Sequence, residues 1–275
     1  MIFVYKKWDS FCRHLHEKGI HSIPACSVTA NAKGYLVLKH DVETAVGRAL
    51  EMAKIEAKYG HVGSYYVQAY LLDDPKNVEL LKKMQAMGHE ISYHYDVMDS
   101  QKGNLDRAIE EFEKNKQRFE AHGFLLQTLC QHGNPIVDRV GYTSNRDFFR
   151  SERVRALYPT LSDIMVNFKE AKGTDYVYYS DAGRKFKMIY DPLTNDIVNS
   201  DDKNIVYKNL DALLVALGEG NAIISTHPHR WTKSAIKYIL KTAVFKVIKA
   251  IAKLLVKIPF MKKFMSRYYH LAKKI

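Results

Sequence analysis

Cysteine is scarce in this chain: Cys12, Cys26 and Cys130 are the three among 275 residues. An odd count at irregular spacing excludes a disulfide framework and a zinc knuckle, and predicts buried thiols in a reducing compartment. Long apolar runs are also missing. No window approaches the roughly 18 uncharged residues that a membrane-spanning helix needs. The opening residues Met1-Ile2-Phe3-Val4-Tyr5-Lys6-Lys7-Trp8 lack the charged, apolar and small-residue order of a secretory signal. The expectation is a cytoplasmic chain that does not span a bilayer. Acidic residues are absent from 233–275, where eleven Lys and one Arg stand without any Asp or Glu. Residues 1–232 balance 30 basic against 30 acidic side chains, so the net charge of +12 sits in the tail. No internal repeat is evident.

What is present is enough for one large core. With 47% hydrophobic residues, an α/β barrel of about 250 residues is of ordinary size. Trp8, Phe11, Leu15 and Ile20 predict an opening helix. The stretch Gly34-Tyr35-Leu36-Val37-Leu38-Lys39-His40-Asp41-Val42-Glu43 reads as a short buried strand that carries two carboxylates to its C-terminal end, where a helix begins. An Asp in that place also serves as a helix N-cap. Val46, Ala49, Leu50, Ala53 and Ala57 then share one helical face.

Further strands are predicted over 64–70, 89–94, 125–130, 176–181 and 222–226. Between them lie helices marked by Val78, Leu81 and Met84, by Leu105, Ala108, Ile109 and Phe112 behind an Asn104 cap, and by Leu210, Leu213, Leu214 and Leu217. Residues 136–172 blur into aromatic and polar sequence. Strands alternating with helices about every thirty residues call for parallel pairing and right-handed crossovers. The prediction is an α/β fold: a distorted (β/α) barrel of about seven parallel strands over 1–232, followed by a basic amphipathic tail over 233–275.

The predicted strand ends carry Asp41 and Glu43, then Tyr70, then His94 and Asp96, then His132 and Asn134, then Asp181 and Arg184, then His227 and His229. In a parallel barrel those ends converge on one face and share one pocket. A single such His is more often structural. Carboxylates beside several imidazoles are the mixture that suits zinc or a similar divalent ion, which acidifies bound water to a pKa of about 7.

Lys39-His40-Asp41-Val42-Glu43, Gly88-His89-Glu90-Ile91 with His94 behind it, and His227 near the last strand together resemble the polysaccharide deacetylases of carbohydrate esterase family four. The resemblance spans roughly residues 34–231. It implies a distorted (β/α) barrel and a metal-dependent hydrolase acting on amide bonds. By the same resemblance Asp41 is the general base, Glu43 and His94 hold the metal, and His227 protonates the leaving amine. The sequence departs from the family where its second motif has a further metal-binding His four residues after the first; here that position is Met98. A thioether is a poor ligand for a hard or borderline ion, which leaves Asp96, His132 or Asp41 itself to complete the set. The third motif is only loosely echoed by Gln131-His132-Gly133-Asn134-Pro135. His132, Asn134, Asp181, Arg184, His229, Arg230 and Trp231 are the candidates for holding substrate, Arg through a forked guanidinium and Trp as an aromatic platform. Packing at the barrel mouth is the alternative for Arg184, Arg230 and Trp231.

In the tail, Lys246, Lys249, Lys253 and Lys257 fall within one narrow helical stripe. Val244, Phe245, Val247, Ile248, Ile251, Leu254, Leu255 and Ile258 cover most of the circumference, and Pro259 interrupts before a second amphipathic piece, Phe260-Met261-Lys262-Lys263-Phe264-Met265. So wide an apolar face with lysine edges is the pattern of a helix lying in a membrane interface, where each lysine near an anionic leaflet adds about 1 kcal/mol. A helix packed on the barrel or on a second subunit is the rival. A nucleic-acid arm is not expected, because such arms are more polar and the body offers no basic patch to extend one.

Two functions follow as expectations. One is a cytoplasmic, membrane-peripheral deacetylase-like hydrolase that uses zinc or another divalent metal. It would remove an N-acyl group from a nucleotide- or lipid-linked sugar in bacterial surface polysaccharide biosynthesis. The other is a catalytically silent barrel that binds carbohydrate or scaffolds a complex at the membrane, a reading favoured by Met98.

Overall fold

A computed structural model describes residues 3–134, 137–182, 186–189 and 205–255 of the chain. Nine strands are described: β1 (Leu36–Val42), β2 (Gly63–Val67), β3 (Glu90–Tyr95), β4 (Thr128–Gln131), β5 (Ser162–Asp163), β6 (Val177–Ser180), β7 (Phe186–Ile189), β8 (Val206–Tyr207) and β9 (Ala222–Thr226). They hydrogen-bond in the order β5-β4-β3-β2-β1-β9-β6-β7-β8. The seven from β5 to β6 are all parallel and curl into a half-barrel, the predicted fold class, while β7 and β8 extend the edge antiparallel.

The α-helices of the described residues are α1 (Tyr5–Glu17), α2 (Val46–Lys58), α3 (Pro75–Ala86), α4 (Val97–Ser100), α5 (Leu105–Ala121), α6 (Asp147–Arg150), α7 (Glu152–Leu157), α8 (Phe168–Lys172), α9 (Leu210–Ala216) and α10 (Ala235–Leu255). Local chemistry sets several starts. Asp74, Asn104 and Asn209 each accept a backbone N–H from the first turn of α3, α5 and α9, and Pro75 fills the first position of α3, where no amide donor is needed.

Strand β1 is buried along its whole length, and the two-residue period of a strand divides its side chains. Leu36 and Leu38 pack in the core under α1, α2 and α9, whereas Val37 packs inside the curl with Tyr66, Cys130, Tyr178 and Ile223. Lys39 and Asp41 share Val37's face and His40 the opposite one. On the helix side, Glu56 of α2 is fully buried and accepts hydrogen bonds from Trp8 Nε1 (2.9 Å) and Tyr65 Oη (2.8 Å), with His40 Nε2 at 3.0 Å. That one carboxylate ties α1, α2, β1 and β2 together. Burial opposes its charge, but His40, His89 and Tyr65 outweigh that and hold it below its usual range.

Two local expectations change, and the blurred stretch gains its elements. Strand β2 stops at Val67 and Ala69–Asp73 forms a 3-10 turn, so Tyr70 is not on a strand. Strand β4 begins at Thr128, leaving Leu125 exposed. The blurred stretch 136–172 holds α6, α7, β5 and α8, all of six residues or fewer.

At the close of the sheet, the opening residues come back into contact. Val4 and Thr232 form a parallel bridge, with Tyr5 N donating to Thr232 O and Thr232 N to Phe3 O.

Candidate active site

Asp41 does not cap a helix. It lies within β1, and the residue at the N-cap position of α2 is Ala45, whose φ of 54° places it in the left-handed region. That turn is uncommon for a residue with a Cβ and costs on the order of 1 kcal/mol; it swings the chain from strand to helix just after Glu43. The Asp41 carboxylate is held by Lys39, whose Nζ donates to Oδ1 at 2.6 Å and Oδ2 at 2.7 Å and also reaches Ser225 Oγ at 3.3 Å. Burial works against the Asp41 charge, but Lys39, His94 and His227 overcome it and keep the carboxyl well below its usual range.

Beside this pair, β3 and β4 bring two imidazoles to Glu43. Glu43, His94 and His132 are all buried, and one ligand atom from each lies within 4.8 Å of the other two. His132 Nε2 is 3.4 Å from Glu43 Oε1, and the two rings meet edge to face at 5.2 Å. A second such group, Asp41, His94 and Cys130, shares His94. His94 Nδ1 donates to the carbonyl of Cys130 at 2.9 Å. A carbonyl only accepts, so Nδ1 carries the hydrogen and Nε2 is left as the lone-pair nitrogen, the arrangement typical of a metal-ligating histidine. Burial pushes the His94 pKa down to about 3, despite the nearby Asp41 charge, so the ring is neutral at ordinary pH. One carboxylate and two imidazoles form a donor set that fits zinc or a similar divalent ion.

The far wall comes from β6 and β9. Asp181 is fully buried at the end of β6 and accepts from His227 Nδ1 at 2.5 Å, from the His227 backbone N–H at 3.0 Å and from Arg230 Nη1 at 2.8 Å. Arg230 and His227 overcome the cost of burial and lower the Asp181 pKa. With Nδ1 committed, His227 directs Nε2 to within 3.8 Å of Asp41 Oδ2 and 4.0 Å of Glu43 Oε1. The geometry is that of an imidazole oriented by a carboxylate, able to take or give a proton in the shared space.

The structure thus assembles Asp41, Glu43, His94, His132, Asp181 and His227. Arg230 braces Asp181 from behind, its Nη1 also on the Asp181 carbonyl. His229 sits 5.9 Å from the His227 ring, and burial pushes its pKa down to about 3. Asn134 follows β4, its carbonyl accepting from Arg139 Nη2 at 2.8 Å. Arg184 lies outside the described residues. Trp231 is a correction: it is fully buried, stacked on Phe3 at 5.1 Å and edge-on to Trp8 at 5.2 Å, so its ring is part of the core and offers no platform. Met98 packs in the helix-side core, and His132, just past the neighbouring strand β4, stands beside Glu43 and His94. Lys39 is the residue that sequence reasoning passed over; its two-residue spacing from Asp41 on a strand was the available signal.

No protein-family model matches the chain, and no curated protein does. Among solved structures, a peptidoglycan deacetylase of Bdellovibrio bacteriovorus is similar at 12% identity and a TM-score of 0.34, over 76% of this chain and 50% of that one. The chain therefore spans half the length of that protein's chain.

Proposed function

We propose that this chain is a metal-dependent hydrolase that cleaves the amide of an N-acylated sugar, on a nucleotide- or lipid-linked precursor of a bacterial surface polysaccharide. The observation that carries the reading is the cluster of Glu43, His94 and His132 facing the Asp181–His227 pair across the sheet's mouth. The motif resemblance supplies the substrate class. Glu43, His94 and His132 would hold the ion, with zinc the best match to one carboxylate and two imidazoles. A bound divalent ion supplies Lewis acidity, polarising the acyl carbonyl and acidifying water.

The chain's own groups handle the protons. Asp41, ionised and fixed by Lys39, takes one from the attacking water. His227, oriented through Nδ1 by Asp181, returns one through Nε2 to the departing amine. Water and amide become carboxylate and ammonium: one water proton passes to Asp41, His227 gives one to the nitrogen, the acid's remaining proton goes to the freed amine, and the proton on Asp41 returns through solvent to restore His227.

A silent carbohydrate-binding barrel is the second reading, favoured by the neutralised Lys39–Asp41 pair and by the thioether at position 98. The test is acylate release from N-acetylated sugar nucleotides and lipid-linked sugars by the zinc-loaded full chain. Release that falls at least about a hundredfold in both Asp41→Asn and His227→Ala supports the hydrolase. Sugar binding without acylate release, unchanged in both variants, selects the silent barrel.

A further inference from the structure

Helix α10 begins on a pinned base. Tyr238 is buried against Phe3, with ring centroids 5.8 Å apart, and Lys233 Nζ reaches Glu51 of α2 at 3.6 Å. Beyond the base its other face is open. Ile236, Ile239, Leu240, Ala243, Val244 and Val247 are all exposed, Ile236 at 72% and Leu240 at 61%. Their spacing places them on one stripe about 140° wide at 3.6 residues per turn, with Tyr238 on the opposite side. That is the width of face a surface helix normally buries, and among the described residues no element covers it.

Charge identifies the occupant. Residues 233–275 hold eleven Lys, one Arg and no acid, while the body is balanced. A second copy would bring an equally cationic tail against this one, which repulsion opposes. Nucleic acid would satisfy the lysines but leave the apolar stripe wet. An anionic bilayer surface answers both, with acyl chains for the stripe and headgroups for the lysines. Among the described residues no helix is long and apolar enough to cross a membrane. We propose that α10 lies in the interface of an anionic membrane and docks the half-barrel on it. Ala235 follows His227 by eight residues, so the docking helix starts within about 26 Å of chain from the pocket. In combination with the hydrolase reading, on which this last point alone rests, docking favours a lipid-linked sugar as substrate.

The test needs no activity, so it stands apart from the hydrolase reading. Full-length protein is sedimented with vesicles of phosphatidylcholine alone or with about a third phosphatidylglycerol, beside the full-length variant I236E/L240E. Both positions are solvent-facing, and an unchanged melting temperature confirms that the variant is folded. The expected result is binding to the anionic vesicles that weakens about tenfold without phosphatidylglycerol, in about 0.5 M salt, and in the variant. Absence of wild-type protein from the anionic pellet, equal binding by the variant, or a solution dimer that the variant splits would each overturn the proposal.

Discussion

Lys39 grips both carboxylate oxygens of Asp41 from two residues upstream on the same strand, and neither side chain reaches much solvent. Each charge is tolerable because the other is there. Removing one leaves a buried ion without its partner, which costs about 3–5 kcal/mol, while removing both can be close to neutral. Lys39→Met is therefore expected to destabilise the fold by that amount and the double variant Lys39→Met/Asp41→Asn by much less. Urea unfolding of the two variants and the parent decides it; additive losses would refute the coupling.

His132 stands at the cluster where Met98 cannot serve. On the proposed ligand set, His94→Ala and His132→Ala are each expected to weaken zinc binding by well over about tenfold. Met98→Leu should leave affinity unchanged, because that side chain packs in the helix-side core. Competition with a chelator measures all three. Wild-type affinity in His132→Ala would remove it from the ligand set.

Asp181 holds His227 by its backbone N–H and by Nδ1. Asp181→Asn keeps the shape but favours the other imidazole tautomer, and the expected loss is about a hundredfold or more in kcat with little change in KM. A proportionate rise in KM instead would point to disturbed binding.

Asp163 should make stability fall with pH. Its carboxylate accepts the amides of Gln131 at 2.9 Å and Met165 at 2.6 Å, yet burial pushes its pKa up to about 6. The unfolded carboxyl titrates near 3.9, so between about pH 4 and 6 the folded protein holds a proton that the unfolded chain has released. The stabilising contribution is full below that window and is lost as pH rises through 6, by on the order of 2–3 kcal/mol. Asp163→Asn loses one acceptor and starts weaker, but its unfolding free energy should lack this slope. Parallel curves for parent and variant across the window would contradict the assignment.

Much of the site was legible because chemistry sat at strand ends. Asp41, Glu43, His94 and His227 each lie at or just past the end of a short buried strand, and parallel pairing brings such ends together. The bridge from β3 to β4 was harder: only the register that sets His94 beside Cys130 brings His132 to Glu43. Lys39 was hidden inside an apolar run, where a lysine looks like an interruption until its partner's face is known. Trp231 misled because it adjoins Arg230. The turn Pro228–Arg230 reverses the chain and delivers the indole to Phe3 on the other side. Residues 136–172 resisted because elements of two to six residues are too short to display a period.

The lacing of Phe3, Val4 and Tyr5 to Thr232 gives the start of the chain authority over its far end. The foundation of α10 is built partly from the third residue, through the Phe3 ring under Tyr238 and the backbone bridge beside it. Phe3→Ala would loosen that foundation without touching the helix.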